Sequence, residues 1–122
     1  MDKPKLLPSA DHPITVTPTT ERVVVRSGDQ AIADSTNALT LQESTYPAVQ
    51  YVPLADVDQQ LLRSTDTATY CPFKGDASYY SVVLAGQEIT DAIWTYPEPY
   101  EAVAPIAGHV AFYPNKVDIT VG

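Results

Sequence analysis

The segment spanning residues 69–81 carries the side chains of this chain that are best suited to chemistry. Cys71 is the only cysteine among the 122 residues, and Lys74 follows it three positions later. Pro72 fixes the backbone after the thiol and Gly75 permits a sharp turn, so the thiol and the amine are predicted to face one corner. An ammonium group near a thiol stabilises the thiolate, which is the nucleophilic form of cysteine. One hypothesis is therefore that Cys71 and Lys74 are catalytic.

The same pair also has a plainer interpretation. Free cysteines are usually buried and inert, which favours Cys71 as a small core residue and Lys74 as a solvated turn residue. The sequence offers no second cysteine to resolve an oxidised thiol, and this argues against disulfide exchange. The segment therefore predicts a site without selecting a reaction.

Hydroxyl groups near Lys74 indicate a second kind of site. The side chains that carry them are Tyr70, Ser78, Tyr79 and Tyr80. Together with the ammonium, these donors suit a small polar or anionic ligand. Strand alternation separates Tyr79 from Tyr80, so only one of the two can line a pocket. The following strand is predicted to supply a flat apolar wall through Trp94 and Tyr96.

Residue spacing does not support metal chemistry. His12 lies in a proline-rich segment and His109 at a strand start, and neither has close paired ligands. His109 is predicted to be a surface or hydrogen-bonded residue. The sequence contains neither a Gly-x-Ser-x-Gly nucleophile element nor a glycine-rich phosphate loop. We expect no metal site, and the sequence identifies no cofactor.

The charge of the chain limits its partners. It carries 15 acidic and 7 basic side chains, and the net charge of −8 disfavours nucleic-acid phosphates and anionic membranes. Its apolar runs are far shorter than the roughly 20 residues of a membrane span, and we recognise no secretory signal. The lone thiol suits a reducing compartment. We therefore expect a cytoplasmic protein that binds neither nucleic acid nor membrane.

The chain is predicted to form a proline-rich arm over residues 1–21 and a single β domain over residues 22–122. Four prolines in the arm prevent a continuous helix or ladder. Alternation over residues 14–17 is typical of a short edge strand that drapes over the domain, and a floppy terminus is the alternative. Arm exchange between two copies would give a homodimer, and a monomer is equally compatible with the sequence.

Seven or eight short strands and one or two brief helices are predicted in the domain. The strand predictions are a hairpin over residues 22–34, strands over 38–43 and 48–52, a hairpin over 78–96, and a closing hairpin over 109–121. Apolar spacing predicts one helix over residues 54–62 and a helical turn over residues 100–104. The resulting fold class is mainly β, in one compact domain.

Glu43 ends the strand predicted over residues 38–43, and two interpretations of it stay open. Alternation with Leu39 and Leu41 sends Glu43 inward, where a carboxylate needs a partner or a raised pKa. If the strand frays at Gln42, the carboxylate is simply solvated. The first interpretation makes Glu43 a candidate pocket residue.

Several elements of the chain resemble the bacterial family catalogued as domain of unknown function 427. The elements are Asp34 to Leu39 with Glu43, Tyr51-Val52-Pro53, Thr69 to Gly75 with Ser78 to Ser81, Trp94 to Pro97, and Val110 to Tyr113 with Lys116 to Asp118. The likeness spans roughly residues 22–119. It implies bent antiparallel sheets that enclose a cleft, similar in topology to the Mss4-like proteins.

The resemblance also implies a set of pocket positions. The family carries a nucleotidyltransferase-like name, although the Gly-Ser element and paired aspartates of that chemistry are absent here. The positions that match the family's motifs are Glu43, Tyr51, Tyr70, Cys71, Lys74, Ser78 and Trp94. Our leading hypothesis is a domain that binds a small polar or anionic molecule around the Cys-Pro-x-Lys-Gly turn. The alternatives are an enzyme that uses Cys71 as its nucleophile and a nucleotidyltransferase-like activity.

Overall fold

A computed structural model describes residues 3–122, and the chain is mainly β as predicted. Within that range ten strands are present: β1 (Ile14–Pro18), β2 (Val23–Ser27), β3 (Gln30–Ser35), β4 (Leu39–Glu43), β5 (Val49–Pro53), β6 (Leu62–Cys71), β7 (Gly75–Leu84), β8 (Gln87–Thr95), β9 (His109–Phe112) and β10 (Asp118–Val121). Helical structure in the described part of the chain is limited to three 3-10 segments: Leu54–Asp56, Gln59–Leu61 and Glu101–Ile106. No helix in these residues is long and apolar enough to span a membrane.

The strands form two antiparallel sheets. Seven strands make one sheet in the order β1-β4-β5-β9-β8-β7-β6, and three make the other in the order β10-β2-β3. Hairpins join β2 to β3 and β7 to β8, as the turn residues between them predict. The result is a single compact domain with the larger sheet at its centre.

The two faces of the seven-stranded sheet bury different clusters of side chains. Along β5, Tyr51 points to one face and Val52 to the other, and both are almost fully buried. The Val52 face packs against the smaller sheet, for example against Val23. The Tyr51 face is covered by the last 3-10 segment, which contributes Val103 and Ile106. Because both faces are packed, any recess on the Tyr51 face has rigid walls.

Strands β5 and β9 diverge and leave a fork in the larger sheet. Within residues 3–122 the two strands pair at two positions, Val52 with Val110 and Pro53 with His109. β5 continues to pair with β4 as far as Val49, and β9 continues to pair with β8 at Phe112. Space therefore opens between Val49 of β5 and Phe112 of β9.

The N-terminal arm is tied to the domain along its described length. Strand β1 pairs with β4 at the edge of the larger sheet, at the position predicted for the short edge strand. Ahead of it, the Leu6 amide donates to the Pro72 carbonyl at 2.9 Å, and the Tyr70 hydroxyl donates to the Pro4 carbonyl at 2.5 Å. Residues 1 and 2 of the predicted arm lie outside the described residues.

The helix predicted over residues 54–62 is wrong. Two 3-10 turns lie there, separated by Val57, which has an extended conformation and forms a bridge with Ala33 of β3. The Asp58 side chain accepts from the Gln60 amide and starts the second turn afresh. The helix-like spacing arises because the apolar residues of each turn pack separately on the core.

The closing hairpin predicted over residues 109–121 is also wrong. β9 inserts between β5 and β8, whereas β10 pairs with β2 in the smaller sheet. The turn at residues 113–117 redirects the chain: the Tyr113 carbonyl accepts from the amides of Lys116 and Val117. Val117 and Ile119 then pack into the core between the sheets, and this burial outweighs local strand pairing.

Two adjacent valines of β7 test this arrangement. Val82 is fully buried between the sheets, while Val83 is 38% exposed on the opposite side of the strand. We expect Val82→Ala to lower the free energy of unfolding by roughly 2 kcal/mol, because it leaves a cavity. Val83→Ala removes the same β-branched side chain from the same strand but leaves no cavity. We therefore expect it to lower the free energy of unfolding by less than about 0.5 kcal/mol. Urea unfolding measures both, and equal losses would contradict the assigned faces.

Candidate functional site

A recess of about 240 Å³ lies on the Tyr51 face of the larger sheet, beside the fork between β5 and β9. Its walls combine six aromatic side chains with one ion pair and a few aliphatic groups. The lining residues are Leu41, Glu43, Tyr46, Pro47, Val49, Tyr51, Lys74, Tyr79, Trp94, Tyr96 and Tyr113. We call this space the recess.

The turn between β6 and β7 holds Lys74 at the recess. The Lys74 amide donates to the Cys71 carbonyl at 3.1 Å, and the Lys74 carbonyl accepts from the Tyr100 amide at 2.9 Å. Gly75 has a φ of +113°, and a Cβ there would lie 3.3 Å from the Glu98 carbonyl oxygen. Only glycine suits that conformation and that close approach, so Gly75 is what allows the turn to form. Lys74 itself is 7% exposed.

Lys74 and Glu43 form an ion pair at the wall of the recess. The Lys74 Nζ donates to Glu43 Oε1, and the two side chains are only 9% and 15% exposed. The second carboxylate oxygen, Oε2, lies 2.8 Å from Nε2 of His12, whose ring stacks on Phe73 at 4.3 Å. Of the two interpretations of Glu43, the inward one with a partner describes the structure.

The protonation of Glu43 follows from these contacts. Burial alone would raise the pKa of Glu43, but hydrogen bonds from Lys74 and His12 outweigh burial and hold the pKa below its ordinary 4.5. A lowered folded-state pKa means that this stabilising contribution is present above the ordinary value. It is lost as the pH falls from about 4.5 through the lower folded-state value. The carboxylate is therefore ionised at neutral pH.

Two buried phenol groups of the recess, Tyr51 and Tyr96, are protonated donors at neutral pH. Burial raises the pKa of Tyr51 from 10 to about 12, against a smaller opposing effect of the Trp94 N–H, which donates to the Tyr51 hydroxyl at 3.2 Å. Burial, followed by the nearby Tyr51 and Cys71, also raises the pKa of Tyr96. Among residues 3–122 the Tyr96 hydroxyl has no hydrogen-bond partner, and the Tyr51 hydroxyl only accepts. Both O–H groups are thus left to donate to a ligand.

The ammonium of Lys74 also retains donor capacity. It has three N–H groups, and its partners within the described chain are Glu43 and the Cys71 sulfur, which lies 3.7 Å from Nζ. One N–H is therefore unassigned. Cys71 packs against the aromatic cluster and is partly buried, but it lies behind Lys74 and does not line the recess.

The structure brings together five of the eight residues predicted for the site and leaves two elsewhere. Glu43, Tyr51, Lys74, Tyr79 and Trp94 all line the recess, and Cys71 touches it through Lys74. Tyr70 instead shares a hydrogen bond of 2.6 Å with Tyr100, outside the recess. Ser78 lies in a separate surface hollow with Asp76 and Glu98. Alternation along β7 explains the split, because Ser78 and Tyr79 face opposite sides of the strand. Tyr80 packs on the opposite face from Tyr79, as predicted.

Sequence reasoning missed His12 and several lining residues of this site, among them Tyr113. His12 reaches Glu43 from the arm, and no local spacing connects positions 31 residues apart. Tyr113 follows β9, and its ring lies 4.5 Å from that of Trp94. The sequence did contain a signal for Tyr113. Phe112, the last residue of β9, and Tyr113 after it are adjacent aromatics, and alternation sends one of the two rings toward the Tyr51 face.

Metal ligands are sparse in this structure. Within residues 3–122 no group of three or more His, Cys, Asp or Glu side chains is arranged to hold a metal ion. Every buried side-chain nitrogen or oxygen of the described residues has a hydrogen-bond partner.

Comparison with known proteins identifies the family. A family model described as "Domain of unknown function (DUF427)" matches residues 15–122. The chain belongs to the DUF427 family. The match covers β2 to β10 and nearly all of β1, and therefore every residue that lines the recess, whereas His12 precedes it. No curated protein matches this DUF427 chain. The Mss4-like topology stays an expectation of the resemblance.

The ion pair makes a direct prediction about stability. Glu43→Gln leaves the buried ammonium of Lys74 without a charged partner, so we expect the free energy of unfolding to fall by roughly 3 kcal/mol at neutral pH. The matched control is Glu88→Gln, which removes the exposed Arg63–Glu88 pair and is expected to cost less than about 1 kcal/mol. Chemical denaturation of both variants compares them, and similar small losses would show that the Lys74–Glu43 pair is solvated.

Proposed function

We propose that this DUF427 domain binds a small, flat molecule that carries a carbonyl or carboxylate oxygen. The observation that carries the proposal is the set of donors without protein acceptors at the recess. Lys74, Tyr51 and Tyr96 each have an N–H or O–H group that no acceptor among residues 3–122 takes. Among residues 3–122 Glu43 is the only carboxylate that lines the recess, and its two oxygens are already paired. A site rich in donors suits an acceptor on the ligand.

The energetics of the ion pair support a binding role. Removing two charges from water is expensive, and packed apolar side chains of similar volume often stabilise a fold as well or better. A buried Lys74–Glu43 pair is therefore weakly explained by stability alone. A ligand acceptor can take the remaining N–H of the Lys74 ammonium in a charge-assisted hydrogen bond, which apolar side chains at these positions could not form.

The size and walls of the recess favour a single ring. Its volume of about 240 Å³ is below the range of roughly 300–1,000 Å³ found for pockets that hold drug-sized molecules. The Trp94 and Tyr113 rings offer flat faces on which an aromatic or conjugated ligand can stack. A ring bearing one acceptor group, such as benzoate or benzamide, satisfies both the walls and the donors.

Fluorescence of Trp94, the only tryptophan in the chain, tests the proposal. We expect benzoate and benzamide to change the emission with saturable, millimolar or tighter binding. Toluene lacks the acceptor and acetate lacks the ring, so both should bind at least tenfold more weakly. Tyr96→Phe is expected to weaken benzoate binding about tenfold by removing one donor. Tyr80→Phe, on the opposite face, is the control and should leave binding unchanged.

Two outcomes of this titration would contradict the proposal. One is a Tyr96→Phe protein that binds benzoate as tightly as the natural chain. The other is a response to ATP with magnesium and none to benzoate or benzamide. That result would favour the nucleotidyltransferase-like activity that the family's catalogued name suggests.

A second candidate function uses the thiol. The Lys74 Nζ donates to the Cys71 sulfur at 3.7 Å, so the amine is placed to stabilise negative charge that develops on the sulfur as it attacks an electrophile. Because Cys71 is the only cysteine, mass spectrometry reads its alkylation by iodoacetamide directly. We expect Lys74→Met to slow alkylation at pH 7 severalfold in the folded protein. An unchanged or faster reaction would remove the thiol hypothesis.

A further inference from the structure

A second hollow adjoins the recess across the fork in the larger sheet. It has a volume of about 280 Å³ and lies between the ends of β5 and β9 and the last strand, β10. Pro47, Val49 and Trp94 line both spaces. Because β5 and β9 are unpaired beyond Val52 and Val110, no strand pairing closes the sheet between the two hollows. We call the second space the groove.

The groove differs from the recess in chemistry. Beyond the shared residues, its walls are apolar side chains that include Phe112, Ile119 and Val121. Apart from the shared Trp94, the polar side chain that lines the groove within the described part of the chain is Gln50, which hydrogen-bonds with the hydroxyls of Thr19 and Thr40. Val121 remains 43% exposed there, whereas Ile119, two residues earlier on the same side of β10, packs against the core. The groove thus offers mainly apolar surface.

We propose that the ligand of this domain is amphipathic, with its acceptor-bearing ring in the recess and an apolar substituent in the groove. This inference rests on the proposed function and adds the class of ligand. The argument is the shared wall: Pro47, Val49 and Trp94 border both hollows, so a substituent that leaves the recess past these side chains meets the groove next. Burying that substituent against Val121 and Ile119 removes apolar surface of both partners from water.

Alkylated benzoates test the proposal with the Trp94 fluorescence assay. We compare benzoate with 3-butylbenzoate and 4-butylbenzoate, since the two isomers leave the ring in different directions. At least one butyl isomer is expected to bind tenfold or more tightly than benzoate, because four carbons leave water. Val121→Asp places a carboxylate in the groove and should abolish this gain. Val83→Asp, on an exposed valine remote from the groove, should preserve it.

Each outcome is decisive. If benzoate binds and neither butyl isomer binds more tightly, the groove proposal is overturned while the proposed function stands. If no benzoate binds, the proposed function fails and takes this inference with it. If Val121→Asp still binds a butyl isomer tenfold more tightly than benzoate, the substituent lies outside the groove and the groove proposal is overturned. Benzoate itself, which does not reach Val121, reports whether the variant's recess is intact.

A second copy of this chain is the competing occupant of the groove. Sedimentation of the unliganded protein distinguishes it from a ligand. A dimer that Val121→Asp dissociates would assign the groove to self-association and overturn the proposal. A monomer before and after ligand addition agrees with it.

Discussion

The ion pair between Lys74 and Glu43 is the interaction around which this site is built. The two charges come from turns and strands 31 residues apart, and both are largely withdrawn from water. Such a pair is tolerated only when its geometry is good and its remaining polar atoms have partners. The β6–β7 turn, the end of β4 and the N-terminal arm all contribute to meeting that condition.

The surroundings of the pair show how the fold meets this requirement. Gly75 allows the turn that carries Lys74, and His12 from the arm pairs with the second carboxylate oxygen of Glu43. The rigid strands β7 and β8 contribute Tyr79 and Trp94 to the aromatic wall of the same recess. The divergence of β5 from β9 then leaves this wall accessible. The chain carries a net charge of −8, but the recess itself is not acidic. Among the described residues that line it, one ammonium, Lys74, pairs with one carboxylate, Glu43.

The sequence predicts those parts of the structure that depend on local patterns. Alternation placed Tyr79 and Tyr80 on opposite faces, and turn residues located the β2–β3 and β7–β8 hairpins. Alternation predicted Glu43 as an inward residue, and the hairpin predicted Trp94 as part of a pocket wall; both follow from the two-residue period of a strand and from turn chemistry. Tyr51 was predicted from the family resemblance alone, and all three residues line one recess.

Features that depend on distant packing could not be predicted. The approach of His12 to Glu43 requires the path of the arm, and the placement of β10 beside β2 requires the core that both strands share. The false helix over residues 54–62 arose because two separate turns happen to repeat at helical spacing. Tyr70 and Ser78 are near Lys74 in sequence, but strand geometry turns them away from the recess.

A double-mutant cycle of Glu43→Leu and Lys74→Met tests the central claim most directly. If the pair serves binding rather than stability, each single change lowers the free energy of unfolding by several kcal/mol. The double variant returns to within about 1 kcal/mol of the natural chain, because two apolar side chains replace two charges. That stable double variant should also fail to bind benzoate. A double variant as unstable as the sum of its singles, or one that binds benzoate normally, would contradict the account.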